Sequence, residues 1–241
     1  MNRRIVVTEM LDEMDPDDPE ARRSRRDLRR VHIAMGTLSV LRRAIARLGL
    51  TAPPRRILEL GSGDGTLMLR MGRAMRGQWP QVELTLLDRQ DLLSARTRDA
   101  YADLGWRVAS IAMDVLDWAR SADMTHYDLC VTTLFLHHFR EQDLHAILAA
   151  VAARSEAFVA CEPRRDAWGW WGSRLVGVIG GNRITRNDAI TSVAAGFSGR
   201  ELGSSWPDSP DRWELRESRA FPFTHCFSAR AVAPVIPIGV T

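Results

Sequence analysis

Between Ile57 and Thr66 the sequence reads ILELGSGDGT. An apolar run ends in an acid, Glu59, and three alternating glycines follow: Gly61, Gly63 and Gly65. A buried strand that turns sharply into a helix has this form. Glycine at the turn permits positive φ and lets a ligand approach backbone with no Cβ in the way. The helix that follows aims its first amides at the ligand. The glycines can equally belong to an ordinary strand–helix turn, so the rest of the chain has to decide.

After Pro53-Pro54 the pattern alternates strand and helix. RRILEL, VELTLLD, RVASIAMD, YDLCVTT and AFVACEP read as five strands. Helices are expected over 66–77, from an Asp91 cap to Gly105, and through Leu144, Ile147, Leu148 and Val151. Strands joined by helices of this length predict a parallel sheet covered on both faces. WELRES and FTHCFSARAV add two closing strands, giving a doubly wound, mostly parallel seven-stranded α/β sheet. Residues 1–50 are expected to form an N-terminal helical cap, and 51–241 the main domain. Residues 164–212, with DAWGWWG, Gly180-Gly181 and SSWPDSP, break the rhythm and are expected to form a lid or substrate wall of short helices.

The glycine spacing discriminates among nucleotide-type ligands. A dinucleotide fingerprint needs a third glycine where Thr66 stands. A phosphate loop of the G-x-x-x-x-G-K-[ST] kind needs a lysine, and all 33 basic residues are arginine. Glu59 would repel a pyrophosphate but suits a cationic ligand.

Four motifs in order now resemble the class I S-adenosylmethionine (SAM)-dependent methyltransferases: ILELGSGDGT, LTLLDRQ, AMDVLDW and YDLCVTTLFLHHF, across about residues 55–163. The resemblance implies a Rossmann-like methyltransferase fold with SAM as cofactor. It implies that Glu59, Gly61, Ser62, Gly63 and Gly65 form the cofactor loop. It puts Asp88, with Arg89 beside it, at the ribose hydroxyls, and Asp114 and Val115 at the adenine. Thr132 falls at the strand end lining the methyl-transfer site. The LHH segment is similar to the small-molecule branch, as in quinone-biosynthesis methyltransferases. His137 and His138 are the candidate bases, although histidines there can also serve only to start a helix or to pack.

The acceptor is expected to be a small, partly apolar metabolite carrying an aromatic, polyketide or quinone-like hydroxyl, with an activated carbon second. Trp168 and Trp171 could wall its pocket, and Arg183 and Arg186 could pair with its carboxylate or phenolate. Lid packing and ordinary exposed arginines are the competing readings. No Asn/Asp-Pro-Pro-Tyr motif or Pro-Cys pair is present. The three cysteines show no CxxC spacing, so no metal is expected, and buried free thiols are the plain reading.

Two alternatives stay open. Arg22, Arg25, Arg26 and Arg29 share one helical face, which could serve an RNA or protein methyltransferase. A solvated face balanced by the acidic segment before it explains the same residues. A noncatalytic SAM-binding protein would also need the glycine loop. No signal peptide and no apolar run of membrane-spanning length are apparent, so the cytoplasm is the expected location and a membrane partner is not expected.

Overall fold

In the computed structural model, residues 3–15, 17–178, 180–207 and 211–232 are described. Asp208, Ser209 and Pro210 of the SSWPDSP stretch lie outside them.

Each central strand is apolar on both faces, because helices cover both. Strands β1 (Arg56–Leu60), β2 (Glu83–Asp88), β3 (Arg107–Ala112), β4 (Leu129–Thr133) and β5 (Ala157–Pro163) are parallel. β6 (Trp213–Ala220) and β7 (Thr224–Ala231) complete a sheet of order β3-β2-β1-β4-β5-β7-β6, with β7 antiparallel to both neighbours. Side chains alternate between faces at period two. Thus Leu58, Leu60, Cys130, Phe158 and Ala160 enter one core, while Ile57, Leu129, Val131, Val159 and Cys161 enter the other. Burying each such Leu or Phe contributes about 1.5–3 kcal/mol. Cys130, Cys161 and Cys226 are free and buried.

The helices are α1 (Met10–Glu13), α2 (Pro19–Ala34), α3 (Thr37–Leu48), α4 (Thr66–Ala74), α5 (Ala95–Ala102), α6 (Val115–Arg120) and α7 (Glu141–Arg154). After β5 come α8 (Ala167–Leu175), α9 (Arg183–Ala195) and α10 (Glu201–Ser205). The cap of α5 is Ser94, whose side chain accepts from Thr97 N, rather than Asp91. Asp91 instead accepts from Leu93 N and the Ser110 hydroxyl. No helix among the described residues is long and apolar enough to cross a membrane.

Two polar seats hold the N-terminal residues onto the region after β5. Buried Ser24 of α2 shares a hydrogen bond with Thr185 of α9 at 2.6 Å, and buried Asp27 accepts from Asn182 N. Upstream, residues 4–11 run along α9. Ile5 N donates to Ala194 O, Arg4 Nε to Ala195 O, and Met10 N and Leu11 N to Asp188. The Arg4 guanidinium lies 4.0 Å over the Phe197 ring and also donates to the carbonyls of His137 and Phe139.

Candidate active site

Strand order reverses between β1 and β4, and ligands bind beyond the carboxyl ends of strands at such a switch. A cavity of about 940 Å³ opens there. Its wall includes Glu59, Gly61, Ser62, Gly63, Asp88, Arg89, Asp114, Val115, His137 and His138.

The corner folds as its glycines require. Gly61, Gly63 and Gly65 have φ of 65°, 54° and 69°. At Gly63 a Cβ would meet no atom within 4 Å, so the space beside it belongs to the cavity. Gly61 instead yields to Phe135, whose ring would lie 2.3 Å from a Cβ there. Gly63 N donates to Asp88 Oδ2 at 2.9 Å, and Gln90 N donates to Asp88 Oδ1 at 3.1 Å. Asp114 caps α6 through Leu116 N at 2.7 Å.

Two expected residues fall outside the wall. Gly65 packs against Leu86, with its carbonyl held by the Tyr101 hydroxyl at 2.6 Å. Thr132 is fully buried and donates to Leu60 O. The neighbouring Thr133, at the strand end, lines the cavity instead.

A cationic nucleoside fits this wall on two observations. Glu59 Oε2 is buried without a hydrogen-bond partner. Burial first, then the nearby charges of Asp64 and Asp88, push the Glu59 carboxyl well above its ordinary range. A cation arriving there would offset both penalties, and the open cradle at Gly63 leaves room for it.

Residues 57–155 match the family model described as "Methyltransferase domain". That match makes residues 57–155 a methyltransferase domain. Solved structures bear out its fold. The plantazolicin methyltransferase BpumL, solved with S-adenosylhomocysteine (SAH), is 14% identical with a TM-score of 0.63, over 90% of this chain and 92% of that one. An O-methyltransferase family protein from Burkholderia thailandensis is 17% identical with a TM-score of 0.53, over 89% and 63%. Magnesium protoporphyrin IX methyltransferase from Synechocystis PCC 6803, solved with SAM, is 13% identical with a TM-score of 0.50, over 92% and 88%. No curated protein matches the chain significantly.

The two histidines at this site differ sharply. His137 is 2% exposed. Its Nδ1 lies 2.8 Å from Glu162 Oε2 and its Nε2 lies 3.2 Å from Glu9 Oε1. Burial alone would lower its pKa, but the hydrogen bonds and charges of Glu162 and Glu9 raise it to about 9. The expectation of His137 as a neutral base is therefore corrected, because two carboxylates keep it an imidazolium at neutral pH. His138 stacks beside it, ring centroids 4.3 Å apart. A third histidine, His32, also lines the cavity. Burial, outweighing the opposing pull of Asp64, brings its pKa down to about 4, so it stays neutral.

The tentative acceptor residues are not brought to this cavity. Trp168 and Trp171 are 60% and 66% exposed on α8. Arg183 and Arg186 are exposed on α9, whose buried face carries Ile184 and Thr185 instead. Among the described residues of 164–212, only Ser192 belongs to the wall. The N-terminal residues supply the missing side: Val6, Val7, Glu9, Leu11, Leu28 and Arg29. The arginine face of α2 is accordingly divided. Arg22 pairs with Asp17, Arg25 bonds Gln90, and Arg29 reaches Asp64 across the cavity at 3.1 Å.

Glu9 and Glu162 escape a sequence reading for different reasons. Glu162 sits at a strand end, where ligands gather, but only its neighbours show that it holds His137. Glu9 lies 128 residues from His137 in sequence, with no motif around it.

Proposed function

We propose that the enzyme methylates a hydroxyl of a small, partly apolar metabolite, with Glu59, Gly61–Gly63, Asp88, Arg89, Asp114 and Val115 holding SAM. The observation that carries this reading is one cavity of about 940 Å³ lined both by those residues and by a set of apolar side chains. Val6, Val7, Leu11, Leu28, Phe135 and Phe139 supply the apolar part of that lining, which we take as the acceptor chamber, and His138 lines the same cavity. A neighbour described as an O-methyltransferase family protein is consistent with it. The cap role of residues 1–50 belongs to the same reading: α2 and residues 4–11 close the chamber from above.

SAM supplies a methyl group made electrophilic by its sulfonium. The chain's own residues do the rest. Asp88 orients the ribose, and Asp114 with the Val115 backbone fixes the adenine. Glu59 compensates the charge of the cofactor's cationic end. The apolar wall holds the acceptor in line and excludes water; positioning of this kind can lower a barrier by about 7–11 kcal/mol. Removal of the hydroxyl proton falls to the His138 end of the chamber, since His137 already carries its proton.

The direct test is turnover of labelled SAM with a panel of phenols, hydroxyquinones and matching amines. Methylation of hydroxyl acceptors supports the reading, and exclusive amine methylation overturns it. His138→Ala is expected to lower kcat about 100-fold while SAM affinity stays at the wild-type value, the lower end of what general acid–base help supplies.

Glu59 yields a pH prediction. In the free protein its raised pKa makes the carboxyl bind a proton that the unfolded chain releases, so it lowers stability as pH rises through that range. A bound cation favours the ionised form, so SAM affinity should rise over the same range. Glu59→Gln should flatten that rise and weaken binding about tenfold near neutral pH, about 1.4 kcal/mol. Calorimetric titration at several pH values checks it; parallel profiles for both proteins would remove Glu59 from the cofactor site.

A further inference from the structure

We propose that Glu9, His137 and His138 form a binding site for a divalent transition-metal ion of the zinc class, open toward the acceptor chamber. One donor atom from each residue lies within 4.8 Å of the others, and Nε2 of His137 is 3.2 Å from Glu9 Oε1. Ligand atoms held at about 2.0–2.2 Å from one ion lie roughly 3–4 Å from each other, so side-chain adjustment alone closes the set. All three residues line the cavity.

The surroundings of His137 are those of a ligating histidine. Glu162, fully buried, accepts from Nδ1 of His137 and from the backbone amides of Leu136 at 3.0 Å and Phe135 at 3.2 Å. Those bonds lock the carboxylate, and it in turn fixes the ring with Nδ1 as donor and Nε2 facing Glu9; an arriving ion displaces the Nε2 proton to solvent and takes its place between that nitrogen and Glu9. A carboxylate behind a histidine is the usual support of a metal-bound imidazole. Glu9 is braced as well, by the Ser192 hydroxyl.

Donor chemistry selects the ion. Two imidazole nitrogens and one carboxylate suit zinc, iron, cobalt or nickel, whereas magnesium and calcium prefer oxygen. Two carboxylates, Glu9 and Glu162, balance a divalent charge. Three protein ligands leave at least one position open, and here it faces the chamber. An acceptor hydroxyl there would be polarised and its proton made easier to lose. This last role rests on the hydroxyl reading above; the ion site itself does not.

The test uses the full chain, free of any histidine tag and stripped with EDTA, without SAM or acceptor. Zn2+ is titrated by calorimetry and Co2+ by visible absorption. One Zn2+ per chain is expected, with a Co2+ spectrum distinct from that of the hydrated ion. Glu9→Gln and His138→Ala should each weaken Zn2+ at least about tenfold while the heat of SAM binding is unchanged. Absence of Zn2+ heat in the wild type, or unaltered Zn2+ affinity in both variants, overturns the site. His137→Ala would empty a buried network, so the two peripheral variants carry the test. Failure of Zn2+ binding with hydroxyl methylation intact refutes only this site. Zn2+ binding in an enzyme that methylates no hydroxyl refutes only the acceptor reading.

Discussion

Gly63→Val should abolish SAM binding while leaving the fold in place. The space beside Gly63 holds no protein atom within 4 Å, so the added side chain breaks no packing. Its methyl groups project into the cradle that the cofactor's backbone-facing side requires. The residue also sits at φ 54°, where a β-branched side chain is strained by about 1–3 kcal/mol. A lower melting temperature with a preserved circular dichroism spectrum is therefore expected, together with no heat on titration with SAM or SAH. Wild-type affinity in this variant would show that the cofactor does not approach the loop. Gly61 offers a contrast on the same turn. A Cβ there strikes Phe135, so Gly61→Ala should displace an aromatic wall of the chamber and cost stability first.

Asp88→Ala carries the second large effect, a loss of roughly 100-fold in SAM affinity, or about 3 kcal/mol. Two losses add. The carboxylate would no longer receive the ribose hydroxyls. It would also abandon Gly63 N and Gln90 N, which it now holds at 2.9 and 3.1 Å. The glycine loop then loses its anchor to β2 as well as its ligand contact. Asp88→Asn keeps an acceptor oxygen and should lose less. Calorimetry on the three proteins measures the series, and equal affinities throughout would exclude Asp88 from the cofactor site.

The sheet was legible because its strands are short apolar runs bounded by proline, glycine or an acid. AFVACEP begins and ends where β5 does, and ILELGSGDGT folds as the strand-to-helix corner its glycines imply. Glu59, Asp88 and Asp114, singled out by the resemblance to methyltransferases, lie within, at the end of and just past β1, β2 and β3. Local pattern could not decide more. Thr132 and Thr133 are adjacent and chemically identical, and only the strand's exact end tells which one meets the cavity. The tryptophans of DAWGWWG looked like a pocket wall, yet α8 turns Trp168 and Trp171 toward solvent. The N-terminal residues 4–11, several of which line the cavity, form no periodic element apart from the four-residue α1, and their contacts with α9 span nearly the whole chain. The ionisation of His137 is equally nonlocal. It depends on Glu9 and Glu162, neither of which its own segment predicts.

The segment of residues 4–11 has a kinetic consequence. Residues 6–9 and 11 line the same cavity as Glu59, Asp88 and Asp114, and this segment is tied down by Arg4, Glu9 and the amides of Met10 and Leu11. On the proposed reading, with the acceptor seated between this segment and the cofactor, a bound cofactor cannot exchange while the acceptor is in place. Steady-state data should thus follow an ordered sequence, the cofactor entering first and its demethylated form departing last. Detachment of the segment, rather than methyl transfer, would then set the pace of multiple turnovers.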